Sequence, residues 1–256
     1  MKYDIKLKSG KDLEHLRESC RRLAVALQET AAIVKPGITT GEINEFFYNK
    51  IIEGGDKPAF LNYKPFGASY PYPGSICLSV NDEVVHGIGG DRVLKEGDII
   101  GLDGGINHKG MISDSAITIP VGAISDEDRK LLEVTKAALM AGIKAAKNGN
   151  YVNDISKAIE NAIPKKYGVV KILSGHGVGY KVHEEPYVPN FDDGVRGPKL
   201  VAGMVLAIEP MVTLGTDEVF LEDDGYTFTT TDRKNAAHFE HTILITEGEA
   251  EILTKV

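Results

Sequence analysis

Leu13, Leu16, Cys20, Leu23 and Leu27 recur at alternating steps of three and four. That spacing lines one face of a helix with apolar side chains and predicts a helix over roughly residues 11–34, ended by Pro36-Gly37. Thr39 and Glu42 then form a capping-box pattern. The helix they open carries Ile43, Phe46, Phe47 and Ile51 on one face and stops at Gly54-Gly55. Residues 59–73 are rich in Tyr, Phe, Pro and Gly and predict an irregular aromatic loop. Strands are expected over 75–80, 98–103 and 115–121, the last two joined by a Gly-rich turn at 104–110. Ser125 and Asp128 open a third helix, with Leu131, Leu132, Ala138, Leu139 and Ile143 inward and Asn148-Gly149 as its end. A fourth helix carries Ile155, Ile159 and Ile163. Further strands are expected over 205–212, 226–230 and 237–246.

The pattern repeats faintly. A shift of 112 positions lays Gly37 on Gly149, Glu42 on Asp154, Ile43 on Ile155, Phe47 on Ile159 and Ile51 on Ile163. Any two amphipathic helices share a period, so this match says little. The order of polar groups adds to it. His86-Gly87-Ile88-Gly89 is followed by Asp103 and Asp114, and His176-Gly177-Val178-Gly179 by Glu209 and Glu240. The expectation is one domain over 1–256, made of two pseudo-symmetric halves, roughly 1–122 and 123–256. A site would then lie where the halves meet.

Composition narrows the classes of function. With 256 residues and 42% hydrophobic content, the chain can bury a substantial core. No window of about 18 apolar residues occurs, so no membrane span is predicted. No charged leader runs into an apolar stretch, so no signal peptide is expected. Cys20 and Cys77 give no disulfide framework, and a reducing cytoplasm is the simplest setting. A net charge of −8 argues against sequence-specific or general nucleic-acid binding. The short polar N-terminal region suits a monomer.

Five residues are candidates for a metal site: Asp103, Asp114, His176, Glu209 and Glu240. Asp103 ends the apolar run Asp98-Ile99-Ile100-Gly101-Leu102, where a carboxylate is costly unless paired or metal-bound. An Asp-Gly turn is the alternative there. Asp114, eleven residues on, comes within reach of Asp103 across a hairpin. His176 is flanked by glycines whose spacing fits neither a P-loop nor a dinucleotide fingerprint. Glu209 interrupts Val205-Leu206-Ala207-Ile208, a run that packing gives no reason to break with an acid. Glu240 fits either a ligand or an exposed strand position. Several shared carboxylates with one imidazole suit hard divalent cations and hydrolysis by an activated water.

Taken together, these segments resemble the type I methionine aminopeptidases of the pita-bread metallopeptidase family. The matching pieces are Ser79-Val80-Asn81-Asp82-Glu83-Val84-Val85-His86-Gly87-Ile88, Leu102-Asp103-Gly104-Gly105, Ser113-Asp114-Ser115-Ala116 and Gly175-His176-Gly177-Val178-Gly179. His183-Glu184-Glu185-Pro186, Ala207-Ile208-Glu209-Pro210-Met211 and Phe239-Glu240-His241-Thr242 complete the order. The resemblance spans the chain. It implies an α+β pita-bread fold: a central antiparallel sheet from two pseudo-symmetric halves, with helices on its outer face. It implies two divalent metal ions (Mn, Fe, Co or Zn) on Asp103, Asp114, His176, Glu209 and Glu240, the second and the last bridging them beside a hydroxide. That hydroxide would attack the carbonyl of an N-terminal Met on nascent polypeptides with a small second residue. Glu209 would shuttle the proton, His183 would bond the carbonyl oxygen, and His86 would contact the scissile amide nitrogen.

By the same resemblance Phe66, Tyr72, Cys77, Val182 and Tyr226 would line the methionine pocket. Cys77 lies nine residues before His86, as in type I members. Val182 stands where many relatives carry Phe, and Tyr226 where many carry Trp. Met111-Ile112-Ser113 lacks the His-Gly usual before Asp114. Ribosome contact is a possible partner interaction, although Asp217, Glu218, Glu222, Asp223 and Asp224 make one loop acidic where a basic rim would suit RNA. The alternatives are an Xaa-Pro aminopeptidase or prolidase, for whose extra N-terminal domain the chain has no room, and a non-catalytic pita-bread binding protein, which would lose ligands.

Overall fold

The computed structural model describes residues 3–255. Helix α1 spans Gly10–Ile33 and buries Leu16, Cys20, Leu23 and Leu27, the stripe the spacing predicts. Helix α2, Thr40–Glu53, begins with the predicted capping box. The Thr39 hydroxyl accepts the Glu42 N–H at 3.1 Å, and the Glu42 carboxylate accepts the Thr39 N–H at 2.8 Å. Three short strands follow: β1 (Lys57–Pro58), β2 (Ile76–Val80) and β3 (Glu83–Val85). Then come the long strands β4 (Ile99–His108) and β5 (Met111–Pro120), and helices α3 (Asp126–Ala145) and α4 (Val152–Ala162). Strands β6 (Gly168–Val169), β7 (Ser174–Gly177), β8 (Glu184–Pro189), β9 (Val205–Ile208) and β10 (Met211–Thr213) come next. The chain ends with β11 (Val219–Leu221), β12 (Phe228–Thr230), β13 (Ala236–His238), β14 (Glu240–Leu244) and β15 (Glu251–Ile252).

The main sheet is antiparallel. Its order is β4-β5-β14-β9-β7-β8, with β1 and β2 both on β4 and β15 on β14. Two three-stranded sheets, β13-β10-β6 and β11-β12-β3, complete the architecture. On one arm Ile100, Leu102 and Ile106 pack against Leu23, Ile43 and Phe47 of α1 and α2. On the other, Leu206 and Ile208 pack against Leu139, Ile143, Ile155 and Ile159 of α3 and α4. Burial of these apolar faces is the main force joining helices to sheet.

The connectors before α2 and α4 match nearly bond for bond. Gly37 and Gly149 share φ +93°. Their N–H groups donate to Leu94 and Leu200 at 2.8 and 2.9 Å, and each leucine's N–H donates back, to Ile38 and to Asn150. Asp154 accepts the Tyr151 N–H at 2.8 Å, as Glu42 accepts that of Thr39. The faint sequence repeat therefore has a structural counterpart.

Three expectations about strands need correction. The Gly-rich segment 104–110 is mostly strand, and the turn is confined to Lys109-Gly110. The glycines are there for close approach: a Cβ on Gly104 would lie 2.6 Å from the Phe47 ring, and one on Gly105 2.8 Å from the Phe60 ring. The predicted strand 205–212 breaks after Ile208, because Pro210 has no N–H to continue the ladder. The predicted strand 237–246 breaks at Phe239. At both breaks the backbone leaves one sheet for another: β9 and β14 pair in the main sheet, β10 and β13 in a small one.

Candidate active site

Strand register gathers the acids. Cys77 pairs with Asp103, Asp103 with Ala116 and Ala116 with Glu240. Thr242 pairs with Ala207 and Ala207 with His176. Directly paired residues share a sheet face, as do residues two apart on one strand. Cys77, Asp103, Asp114, Glu240 and His176 therefore project from one face. Glu209 joins them from the break between β9 and β10.

Ligand-type atoms of Asp114, His176 and Glu240 all lie within 4.8 Å of one another. The His176 Nε2 is 4.0 Å from an Asp114 oxygen and 3.3 Å from Glu209 Oε1. Its Nδ1 lies 3.0 Å from the Gly177 carbonyl, which assigns the proton to Nδ1 and leaves a lone pair on Nε2. Two lone-pair atoms 3.3 Å apart require a proton or a cation between them. Asp114 Oδ1 and Glu240 Oε1 are buried with no hydrogen-bond partner.

The electrostatics agree. Burial pushes the Asp103 carboxyl up to about 7. Burial, then repulsion from neighbouring acids, raises Asp114, Glu209 and Glu240 well above the usual carboxylate range. Burial also holds His176 down to about 3, so it is neutral and free to ligate. A nest of acids that resist ionisation beside unpartnered oxygens and an imidazole lone pair fits divalent cations, which reverse this cost.

All five residues line a cavity of about 300 Å³. Of the predicted wall residues, Tyr72, Cys77, Val182 and Tyr226 line it too, and His86 and His183 face it. Phe66 does not: its side chain is fully exposed, and Phe60, Tyr63 and Pro65 of the same aromatic loop take the wall instead. The loop reaches the cavity with its earlier residues and turns Phe66 outward. Tyr72 and Tyr226 meet edge to face at 5.1 Å. The Tyr72 hydroxyl donates to the Gly87 carbonyl at 2.8 Å, which anchors that wall next to His86.

His86 holds φ +61°, an uncommon conformation for a side-chain-bearing residue, at the end of β3. Burial lowers its imidazole to about 4. His183 is lowered by burial as well, and its Nδ1 lies 2.9 Å from the Tyr63 hydroxyl. Sequence reasoning missed two residues. Tyr63 was one aromatic among many in its loop. His238 is buried with an unpartnered Nε2, 3.7 Å from Glu209 Oε2. Its place two residues before Glu240 was the available signal.

The sequence pattern of metallopeptidase family M24 matches residues 14–247. The chain belongs to metallopeptidase family M24. Its M24 relatives include the methionine aminopeptidase of Aquifex aeolicus, 45% identical over 98% of this chain and 99% of that protein. Methionine aminopeptidase 1 of Bacillus subtilis is 46% identical over 97% of this chain and 98% of that protein. The crystal structure of methionine aminopeptidase from Rickettsia prowazekii superposes with a TM-score of 0.93 at 36% identity, covering 98% of this chain and 99% of that one. Prolidase from Pyrococcus furiosus shares the fold at a TM-score of 0.75 and 22% identity, with 65% of its length covered. The M24 chain thus has the expected pita-bread architecture. Among its described residues no helix is long and apolar enough to cross a membrane.

Proposed function

We propose that this M24 chain is a methionyl aminopeptidase that removes the N-terminal methionine from polypeptides whose second residue is small. The observation that carries the reading is the breadth of the similarity. Methionine aminopeptidases match nearly end to end at 45–46% identity, whereas a prolidase matches at 22%. The presence of all five acid and imidazole groups in one cavity argues against a non-catalytic relative.

In this reading the halves 1–122 and 123–256 form one catalytic domain. Asp103, Asp114, His176, Glu209 and Glu240 would hold two divalent cations, from among Mn, Fe, Co and Zn. Such cations supply an acidified water and an electrophile for the substrate carbonyl. Glu209, at the break between two sheets, would accept a proton from the attacking water and return it to the leaving amine.

His183 acts on the carbonyl oxygen. In the tautomer that suits this role the Tyr63 hydroxyl, 2.9 Å from Nδ1, donates to the ring, and the proton on Nε2 bonds the oxygen as negative charge develops there. His86, neutral and fixed by its backbone, contacts the scissile amide nitrogen. Tyr72, Cys77, Val182 and Tyr226 surround the methionine side chain with apolar surface. The protein works as a cytoplasmic monomer on nascent polypeptides. Lys171 pairs with Asp217 and Arg233 with Glu222, yet Glu218, Asp223 and Asp224 keep that loop acidic. Ribosome contact would therefore use another surface.

Turnover of Met-Ala-Ser and Xaa-Pro peptides under a panel of divalent metals tests the reading. Methionine release from Met-Ala-Ser, and none from peptides with a bulky second residue, is expected. Cleavage of Xaa-Pro peptides without preference for methionine would overturn it in favour of the prolidase branch.

A further inference from the structure

Segment 3–9 precedes α1 in the first half but is tied to the second. The Lys8 N–H donates to the Gly203 carbonyl at 2.9 Å, and the Asp4 N–H donates to the Glu185 carboxylate. The Lys8 side chain is 2% exposed, unusual for a lysine, and its Nζ lies 2.6 Å from Glu184 Oε2, itself 5% exposed. The other oxygen, Oε1, accepts the N–H groups of Tyr180 and Lys181 at 2.5 and 3.0 Å. One carboxylate thus ties the start of the 180–184 turn to its end, and Lys8 ties that carboxylate to the N-terminal segment.

The turn carries Val182 and His183, both in the cavity wall. Its base is fixed as well, since the Gly179 carbonyl accepts the Ile112 N–H at 2.6 Å, two residues before Asp114. Gly179 leaves room for the lysine: a Cβ there would lie 2.5 Å from Lys8 Cε. A buried ion pair is a poor source of net stability against an apolar pair of similar size, so stability alone gives little reason to keep one. What this pair does is hold one turn in one geometry through charge-assisted bonds.

We infer that Lys8 is a positioning residue for His183 and Val182, acting through Glu184. The inference rests on His183 facing the substrate carbonyl, as proposed above. Lys8 touches no reacting atom. It sets where the turn holds the imidazole, and a misplacement of about 1 Å in such a group lowers turnover by up to about a hundredfold.

The test uses the full chain with Lys8→Met, Glu184→Gln and the double variant, read in three ways: kcat and KM on Met-Ala-Ser, and the His183 imidazole resonance by NMR, assigned with His183→Ala. Lys8→Met is expected to lower kcat at least tenfold with a smaller rise in KM and to shift the His183 resonance. The double variant should be no worse than the worse single, because the two residues act as one unit. Wild-type kcat and an unmoved His183 resonance in Lys8→Met would overturn the inference even if the melting temperature fell, and so would additive losses in the double variant. If Lys8→Met does not fold, Lys8→Arg keeps the charge but alters donor geometry, and the same readouts decide. If the wild type releases no methionine, the aminopeptidase reading fails, and the resonance shift alone still decides whether Lys8 positions the turn.

Discussion

The two halves deliver carboxylates to one cavity by different means. Asp103 and Asp114 stand on an uninterrupted hairpin, β4 and β5, paired from Ile99–Pro120 to His108–Met111. Glu209 and Glu240 come from strands that stay paired for four positions and then leave for a second sheet. A residue in register has its direction set by the pleat. Glu209 lies outside the pleat, between strands, with its carbonyl held by the Asn190 amide at 3.1 Å and its carboxylate between His176 and His238. The residues in register, Asp103, Asp114 and Glu240, thus suit fixed ligands, and the one outside the pleat suits the proton-moving role proposed for Glu209.

The sharpest break of this contrast is Glu209→Gln. It should lower kcat by about 10²–10⁴-fold with the circular-dichroism spectrum unchanged; retained turnover would remove Glu209 as the shuttle. His183→Ala should lower kcat by about 10²-fold and change KM less, as steady-state kinetics on Met-Ala-Ser will show. An effect on KM alone would contradict the role proposed for it on the developing oxyanion.

The acids also predict a pH dependence. Asp103, raised to about 7, is largely protonated at pH 6, and Asp114, Glu209 and Glu240 are raised too. A cation favours the ionised forms, so metal binding at pH 6 should release at least one proton. Affinity should then climb about tenfold per pH unit for each proton released, up to about pH 7 for Asp103. Calorimetry in two buffers of different ionisation heat measures this. His176, already neutral above about 3, contributes nothing in that range. Without metal the sign reverses: Asp103 binds its proton more tightly folded than unfolded, so its stabilising contribution is lost as pH rises from 3.8 through about 7.

Smaller effects compare the arms as scaffolds. Gly104→Ala forces a methyl against Phe47 and should cost about 1–3 kcal/mol in chemical denaturation. Gly37→Ala and Gly149→Ala meet open space but hold φ +93°, so each should cost about 1–2 kcal/mol from backbone strain. Near-equal costs would support the correspondence of the two connectors, and clearly unequal ones would weaken it.

The helices were legible because their signals are local: the α1 stripe, the Thr39–Glu42 box and the Ser125 cap all lie within a few residues. The segment 104–110 was misread because what demands its glycines is remote in sequence, the Phe47 and Phe60 rings. The sheet switches at Pro210 and Phe239 were invisible to periodicity, since both flanking runs are apolar and buried whichever sheet they join. Glu209 stands out in the sequence because it is an acid in an apolar run; Asp103 also fits a turn and Glu240 an exposed strand position, and the roles expected for His86 and His183 come from the family resemblance. Phe66 could not be placed, because a loop with many aromatics gives no sign of which ones turn inward. His238 and Tyr63 were missed because each matters through a partner, Glu209 or His183, that only the fold brings near.

In the function proposed, the two arms build one site for two divalent cations. Anaerobic calorimetric titration of the metal-free full chain with Mn²⁺ or Co²⁺ tests it most directly. The account predicts two ions per chain in the wild type and loss of at least one in both Asp103→Ala, on the regular arm, and Glu240→Ala, on the broken one. A wild-type chain that binds no divalent cation, or substitutions on either arm that leave binding untouched, would contradict it.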